Sequence, residues 1–296
     1  MVKGPGFGTD TSCVLAHGHD DFSHKAEITN VSSLTATEKL YQIQICDPAA
    51  RHNFIFKPGQ FVMLEVPGIG EAPFSISSSP SCHGDIELCI RAAGTMTNFL
   101  SRLARGVRVG ISGPFGTSFP VEDMVGSDIL LLAGGLGIVP LRSPLMAILE
   151  KRSSYGLVDI MYGARRPREL LFGYQHAMWQ QFDIGLEVIV DESEAGWQGP
   201  VGLITGLLQK RLAQGERLQF AKETNAIVCG PPVMFKFVCD MLISAGLPME
   251  KIFVSLERRM HCGRGKCCRC NIGSTYTCLD GPVFDYWSVL NLKEAI

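Results

Sequence analysis

The chain has 296 residues, 46% hydrophobic and 19% charged, with 27 Lys+Arg against 29 Asp+Glu and a formal net charge of −2. That length gives room for about two domains with real cores, and the near-balanced charge excludes a disordered polyelectrolyte and offers no global field for nucleic acid. Eleven cysteines are too sparse for a small secreted disulfide scaffold, which would exceed about 8% Cys, and their odd number argues against full pairing.

No apolar stretch reaches the ~18 residues of a spanning helix, and the N-terminus lacks a signal-peptide core. A cytoplasmic protein with no membrane span is expected, a compartment in which clustered cysteines bind metal more often than they pair. Residues 1–24 are rich in Gly, Asp, Ser and His without periodicity, and a flexible leader is expected there. Nothing in this leader would hold Cys13, His17, His19 and His24 together as a metal site.

Residues 25–126 read as antiparallel strands. Tyr41, Ile43 and Ile45 alternate with polar residues, as do Ile86, Leu88 and Ile90. Punctuation at Pro58-Gly59, Pro67-Gly68 and Gly113-Pro114 divides the run, one helix is expected over Thr97–Ala104, and a β-barrel would remove the exposed strand edges.

Residues 127–250 change character. The apolar runs DILLLAGG, LVDIMYGA, GLEVIVDE and NAIVCGPP, followed by KIFVSLE, are what strands buried on both faces look like. Helices over Pro140–Lys151, Pro167–Gln181, Pro200–Leu212 and Pro232–Ser244 would cover them. The expected fold is a doubly wound α/β domain whose ligand sits at the carboxyl ends of its strands. Residues 251–296 form a small C-terminal cysteine module.

In that module Cys262, Cys267, Cys270 and Cys278 are spaced C-x4-C-x2-C-x7-C, with Gly263, Gly265 and Gly273 between them. Glycines allow the φ > 0 turns needed to wrap four thiolates round one compact centre, and the spacing is that of plant-type 2Fe-2S ligation. Structural zinc is the rival, although it prefers widely separated C-x2-C pairs. Cys268 lies between two ligands and reads as a bystander, with a ligand swap still open. His261 has no second histidine at Rieske spacing.

Gly134, Gly135 and Gly137 lie between an apolar strand and the helix beginning near Pro140, where backbone amides can receive a pyrophosphate. Tight packing alone would also explain them. Cys229-Gly230-Pro231-Pro232 closes a later strand in the same way, and Cys229 reads either as a nicotinamide neighbour or as a buried thiol. The turn Arg91–Thr97 opens a helix and reads either as a phosphate site or as a simple cap by Thr97.

Taken in order, these features resemble the ferredoxin-reductase superfamily. The likeness is to its iron-sulfur branch, which includes the dihydroorotate dehydrogenase electron-transfer subunit, the gamma (diaphorase) subunit of cytoplasmic NiFe hydrogenases and one of the subunits of anaerobic sulfite reductase. The resemblance runs from about Lys25 to the C-terminus and is most specific at SLERRMHCG (255–263) through CLDGPVF (278–284). It implies FAD in the barrel, with Pro73, Phe74 and Ser75 against the isoalloxazine, Ser75 near its reactive edge, and Gly94, Thr95 and Thr97 on the pyrophosphate. Ala72 and Phe74 replace the arginine and tyrosine of the superfamily's common Arg-x-Tyr-Ser, so Arg91 becomes the candidate for the missing charge.

The same resemblance implies NAD(P) on Gly134, Gly135, Gly137 and Pro140. Tyr162–Arg165 would lie on the adenosine side, and Cys229, Gly230 and Pro231 on the nicotinamide side. Arg165, Arg166 and Arg168 form a basic patch suited to the 2′-phosphate of NADP. Hydride transfer would be flanked by Ser75 and Cys229 and would need no acid, base or nucleophile.

The function this implies is an NAD(P)H-dependent oxidoreductase subunit. It would pass electrons between NAD(P)H, FAD and a 2Fe-2S cluster, to or from a partner redox subunit such as a hydrogenase or sulfite reductase. Two rivals stand beside it: a self-contained NAD(P)H-dependent flavin reductase acting on ferredoxin or a small acceptor, and a non-catalytic zinc-binding assembly module.

Overall fold

A computed structural model describes residues 23–214, 223–290 and 292. Most of the expected leader, including Cys13, His17 and His19, lies outside these residues. His24 does not belong to a leader: it opens the first strand, its ring edge-on to Phe54 at 6.2 Å.

The alternating segments form β1 (His24–Ser33), β2 (Glu38–Ile45), helix α1 (Pro48–Asn53), β3 (Phe61–Val66), β4 (Gly70–Ser75), β5 (Asp85–Arg91), α2 (Thr95–Leu100) and β6 (Arg108–Phe115). The strands pair antiparallel in the order β4-β3-β6-β1-β2-β5. Just past β4, the Ser77 N–H donates to the Glu87 carbonyl of β5 at 2.9 Å, which joins the two edges and closes the barrel. Tyr41, Ile43, Ile45, Ile86, Leu88 and Ile90 fill its interior.

Two local expectations fail here. Gly113-Pro114 does not end a strand but lies within β6, beside the irregularity in the β3–β6 register between Phe61 and Met63. Such a bulge accommodates a residue that has no N–H to donate. The helix expected from Thr97 begins at Thr95 with Gly94 at its N-cap, so Thr97 is not the cap residue. Its hydroxyl instead accepts from the Ala93 and Gly94 N–H groups at 3.0 and 2.8 Å.

The apolar runs become β7 (Asp128–Gly134), β8 (Val158–Ala164), β9 (Ile184–Val190), β10 (Thr224–Cys229) and β11 (Ile252–Ser255). They alternate with α3 (Ile138–Glu150), α4 (Gly173–Gln181), α5 (Ile204–Gln214) and α6 (Pro232–Ser244). The strands run parallel in the order β11-β10-β7-β8-β9. Pro140 is the third residue of α3 rather than its start, and in a first helical turn its missing N–H costs no hydrogen bond. The helix expected over Pro167–Gln181 is broken at Phe172, whose left-handed backbone (φ 56°) turns its ring into the core.

The remaining elements are β12 (Asn271–Ile272), β13 (Thr275–Tyr276), β14 (Val283–Asp285) and α7 (Tyr286–Leu290). A boundary at residue 251 does not hold. Strand β11 belongs to the parallel sheet, and β14 returns from the cysteine module to pair antiparallel with it. The module is also tied to the barrel: Thr117 donates its backbone N–H to the Gly281 carbonyl at 2.6 Å and its hydroxyl to the Val283 carbonyl at 2.7 Å.

Arg142 holds α3, and with it the glycine turn at its start, against the barrel. It is 4% exposed and donates to the Ser77 carbonyl (2.8 Å), to Glu87 Oε2 (2.5 Å) and to Gln175 Oε1 (2.9 Å). Its guanidinium lies 4.9 Å over the Phe172 ring. A buried charge satisfied this fully is costly to disturb on either side, so the relative placement of the two domains is firmly specified.

Nearby, His176 packs 5.2 Å from the Trp179 ring, and its Nε2 has no hydrogen-bond partner among the described residues. Burial holds its pKa below the ordinary histidine value, against a hydrogen bond with the Leu171 backbone that raises it. The unfolded chain therefore takes up a proton that the folded chain refuses, and stability falls as pH drops below about 6.5. His176→Leu is expected to flatten the decline in Tm between about pH 7.5 and pH 5.5, measured by calorimetry. An unchanged slope would assign that decline to other groups.

Candidate functional site

Strand order reverses between β7 and β10, and the crevice outside their carboxyl ends is where such sheets bind ligands. A cavity of about 820 Å³ opens there, lined by Gly134, Gly135, Gly137, Gly163, Ala164, Arg165 and Cys229–Pro232. A second cavity of about 260 Å³ lies toward the barrel, lined by Phe61, Pro73, Phe74, Ser75, Pro140, Met260 and Pro282. The two share Arg91, Leu136, Leu256, Glu257 and Arg258, so they form one continuous cleft floored by the end of β11.

The glycines in this cleft have different reasons to be there. Gly135 sits at φ 55° with open space where a side chain would project. Gly137 has ordinary helical φ, but a Cβ there would stand 2.0 Å from the Cys229 carbonyl oxygen. It is glycine because two backbones touch at the switch point, whereas Gly135 leaves an approach open to a ligand.

Four ionisable groups set the electrostatics. Glu257 is open to the cleft but enclosed by protein on most other sides, and burial raises its carboxyl above the usual range, with Arg91 opposing. The Cys229 thiol is fully buried and pushed far up by desolvation and by Glu257, against a hydrogen bond with Ser255, so it is a neutral group at physiological pH. Arg91 already forms an ion pair with buried Glu38. Burial would raise the Glu38 carboxyl, but hydrogen bonds from Thr35, Arg91 and Thr37 outweigh it and hold the acid below its ordinary value.

Several residues singled out from sequence lie elsewhere. Gly94, Thr95 and Thr97 line neither cavity, and the Gly94 amide is occupied by the Thr97 hydroxyl. Pro140 lies on the barrel-side cavity. Tyr162 points into the core, where its hydroxyl accepts from the Leu171 N–H at 3.1 Å. Leu256, Glu257 and Arg258, on which the two cavities meet, lie in the SLERRMHCG stretch (255–263), but their residue types assign them no ligand. The usable signal was their position at the carboxyl end of the last parallel strand.

The three arginines expected to form an open phosphate patch are each paired. Arg165 and Arg166 reach Glu192 at 3.2 and 2.7 Å, and Arg168 reaches Glu194 at 2.6 Å. These hydrogen bonds hold the Glu192 carboxyl below its ordinary value, so it stays ionised at neutral pH. Glu192→Gln frees two guanidinium groups and is expected to raise kcat/KM for NADPH relative to NADH by about tenfold, the scale of one charge-assisted hydrogen bond. An unchanged ratio in steady-state assays would show that the 2′-position does not contact this patch.

In the cysteine module Gly263, Gly265 and Gly273 take φ of 68°, 69° and 58°. The turns they allow arrange the thiols in pairs. Cys262 hydrogen-bonds with Cys267, and the buried Cys270 and Cys278 sulfurs lie 3.2 Å apart. Backbone N–H groups point at the sulfurs, from Arg264 and Cys267 to Cys262 at 3.4 Å and from Gly265 to Cys278 at 3.0 Å.

Burial alone would raise the Cys262 thiol, but those amides pull it down to about 7. Amide donors to the Cys262 and Cys278 sulfurs suit an iron-sulfur cluster, in which hydrogen bonds to sulfur stabilise the thiolates and set the potential, although the described residues do not gather three or more of these thiols into one metal-binding group. Cys268 has φ 56°, and its sulfur accepts a hydrogen bond from the Tyr276 hydroxyl at 3.3 Å. Phe61 and Phe115 of the barrel pack against Cys270 and Cys278, and Phe61 also lines the barrel-side cavity.

Three family models match in order: an oxidoreductase FAD-binding domain over residues 25–119, an oxidoreductase NAD-binding domain over 131–240, and the iron-sulfur cluster binding domain of dihydroorotate dehydrogenase B over 257–290. The chain is 40% identical to sulfhydrogenase 1 subunit gamma of Pyrococcus furiosus, covering 90% of this chain and 92% of that one. It is 32% identical to a probable dihydroorotate dehydrogenase B (NAD(+)) electron transfer subunit of Methanocaldococcus jannaschii, covering 78% and 80%. Among solved structures, an NADH-dependent reduced ferredoxin-NADP oxidoreductase superposes with a TM-score of 0.69 at 23% identity, over 93% of this chain and 94% of that one, a likeness of fold. The chain belongs to the ferredoxin-reductase-like family of FAD- and NAD-binding oxidoreductases that carry a dihydroorotate-dehydrogenase-B-type iron-sulfur domain.

Proposed function

We propose that this chain is the electron-transfer (diaphorase) subunit of a cytoplasmic redox complex, exchanging electrons between NAD(P)H and a partner protein such as a hydrogenase. The observation that carries this reading is the meeting of the two cavities at Arg91, Leu136, Leu256, Glu257 and Arg258, with Phe61 packed between the barrel-side cavity and the Cys270–Cys278 pair. When bound, nicotinamide supplies a hydride, an iron-sulfur cluster single electrons, and a flavin the conversion between them.

The chain's own residues position these groups. Pro73, Phe74 and Ser75 form one wall of the barrel-side cavity, while Gly134, Gly135 and Pro231 bring backbone close to a dinucleotide. The neutral Cys229 thiol presents no charge to an entering nicotinamide. Glu257 is the acid at the junction of the two cavities, and burial raises its carboxyl above the ordinary value. Cys262 with Cys267 and Cys270 with Cys278 supply two pairs of thiolates, a grouping suited to two irons rather than to one tetrahedral zinc.

Protein reconstituted anaerobically with FAD, iron and sulfide is expected to show flavin absorbance, about two irons with acid-labile sulfide per chain, and NAD(P)H-dependent dye reduction. Absence of both flavin absorbance and dye reduction would overturn the reading. Co-purification from native cells identifies the partner, whereas a chain that elutes alone and reduces ferredoxin at full rate is a self-contained reductase.

A further inference from the structure

Arg91 ends β5 and lines both cavities, and it is held there by a residue that lines neither. That residue is Glu38, the first of β2 and the cross-strand partner of Arg91, whose Oε1 accepts from the Arg91 Nε. The Arg91 side chain is 43% exposed and that of Glu38 only 3%, so the ion pair runs from the open cleft into the interior. Neither terminal nitrogen of Arg91 makes a hydrogen bond among the described residues. A grip through Nε alone leaves that end of the guanidinium open to a ligand.

The carboxylate is itself fixed. Its Oε2 accepts from the Thr35 hydroxyl and from the Thr37 hydroxyl, the latter at 2.9 Å. The Thr35 hydroxyl oxygen accepts in turn from the Thr37 and Glu38 N–H groups, each at 3.1 Å, which leaves its own proton to point at the carboxylate. The Ala92 N–H, next to Arg91, donates to the Thr37 carbonyl at 2.9 Å and ties the same turn to the end of β5. A carboxylate satisfied on both oxygens keeps its place, and it stays ionised at neutral pH because these bonds outweigh its burial.

We propose that Glu38 is a positioning residue for the flavin chemistry, gripping Arg91 by Nε so that the guanidinium stands at the barrel-side cavity as a fixed positive charge. Electrons added to a flavin leave negative charge on its ring, and a cation held nearby favours the reduced form. Glu38 offsets that charge from behind, so the pair sets the flavin potential between the values given by an unopposed cation and by none. The inference rests on the flavin reading of the barrel-side cavity.

The test measures the flavin midpoint potential of anaerobic holoprotein by equilibration with a reference dye. Arg91→Met should shift that equilibrium about tenfold toward oxidised flavin, ~30 mV for a two-electron couple. Glu38→Gln keeps an oxygen for the Arg91 Nε but removes the negative charge, and it should shift the equilibrium the other way. Glu38→Ala removes the grip as well and should shift in the direction of Arg91→Met, even though deleting a negative charge by itself favours the reduced flavin. This difference in sign separates a residue that acts through Arg91 from one that acts by its own charge.

Shifts of the same sign for Glu38→Ala and Glu38→Gln would overturn the inference, as would a potential unmoved by Arg91→Met. Weaker FAD retention in Arg91→Met at an unchanged potential would place Arg91 on the phosphates and overturn it too. Should Glu38→Ala not fold, Arg91→Met and Glu38→Gln still decide, since shifts of equal sign contradict the proposal. An unmodified protein that binds no flavin would instead count against the proposed function itself.

Discussion

Replacing Gly137 with Ala is expected to destabilise the nucleotide domain by about 3 kcal/mol or more, at the upper end of overpacking costs. The added Cβ would stand 2.0 Å from the Cys229 oxygen, 2.4 Å from its carbonyl carbon and 2.8 Å from the Gly230 nitrogen. All three are backbone atoms at the end of β10, so no side chain can swing aside. Relief requires α3 to separate from β10, which also pulls on the buried Arg142 anchor.

Gly135→Ala is the control. Its φ of 55° costs a side chain roughly 1–2 kcal/mol, but nothing stands within 4 Å of the added atom. Calorimetry should show a Tm fall of about 6 °C or more for Gly137→Ala, at ~2–4 °C per kcal/mol, and a clearly smaller one for Gly135→Ala. NADH affinity should be more sensitive to Gly135→Ala than stability is, because Gly135 faces the cavity. Equal Tm shifts for the two variants would refute the assignment of Gly137 to backbone packing.

Cys270→Ala is expected to separate the two halves of the reaction. The substitution removes a buried sulfur 3.2 Å from Cys278, and a cluster deprived of one thiolate should be lost or rearranged. Flavin bleaching by NADH should persist, because none of the four thiols lines the cleft, to which the C-terminal module contributes only Leu256, Glu257, Arg258, Met260 and Pro282 beyond the end of β11. Electron delivery to a protein acceptor should fall by at least about 100-fold, beyond the 10–100-fold typical of outer-shell changes at metal sites.

Cys268→Ala should leave both steps intact, since its sulfur is engaged by Tyr276 rather than by the thiol pairs. Stopped-flow flavin absorbance and acceptor reduction measure the two steps separately. An intact cluster in Cys270→Ala that disappears in the Cys268/Cys270 double variant would reveal a ligand swap.

How far local pattern carried the fold is visible in particular elements. The run NAIVCGPP became β10 followed by α6 over Pro232–Ser244 at the expected bounds, because apolar continuity and a proline at the first helical position are both local signals. The helix expected from Pro167 failed at Phe172, where burial beneath the Arg142 guanidinium outweighs the helical pattern. Strand β6 continues through Gly113-Pro114 because its partner strand β3, far away in the chain, carries the irregularity.

The candidate site divides along the same line. Cysteine spacing, glycine turns and the strand-to-helix junctions are read within short windows, since ligand grip and phosphate approach depend on neighbouring residues. Whether a charge is available is not local: Arg165, Arg166 and Arg168 looked like an open patch, but Glu192 and Glu194 arrive from beyond β9 to pair with them. The role of Glu257 was equally hidden, because its carboxyl matters only where two cavities from different domains meet.

Composition and spacing thus determined the class of protein: two domains and a cysteine module, with dinucleotide turns and four candidate thiolates. Tertiary structure decided which glycine packs and which faces a ligand, which arginines are already neutralised, and where the cysteine loop abuts the barrel. The division follows from range, since backbone conformation and ligand spacing are set by adjacent residues, whereas desolvation and ion pairing depend on groups that only the folded chain brings together.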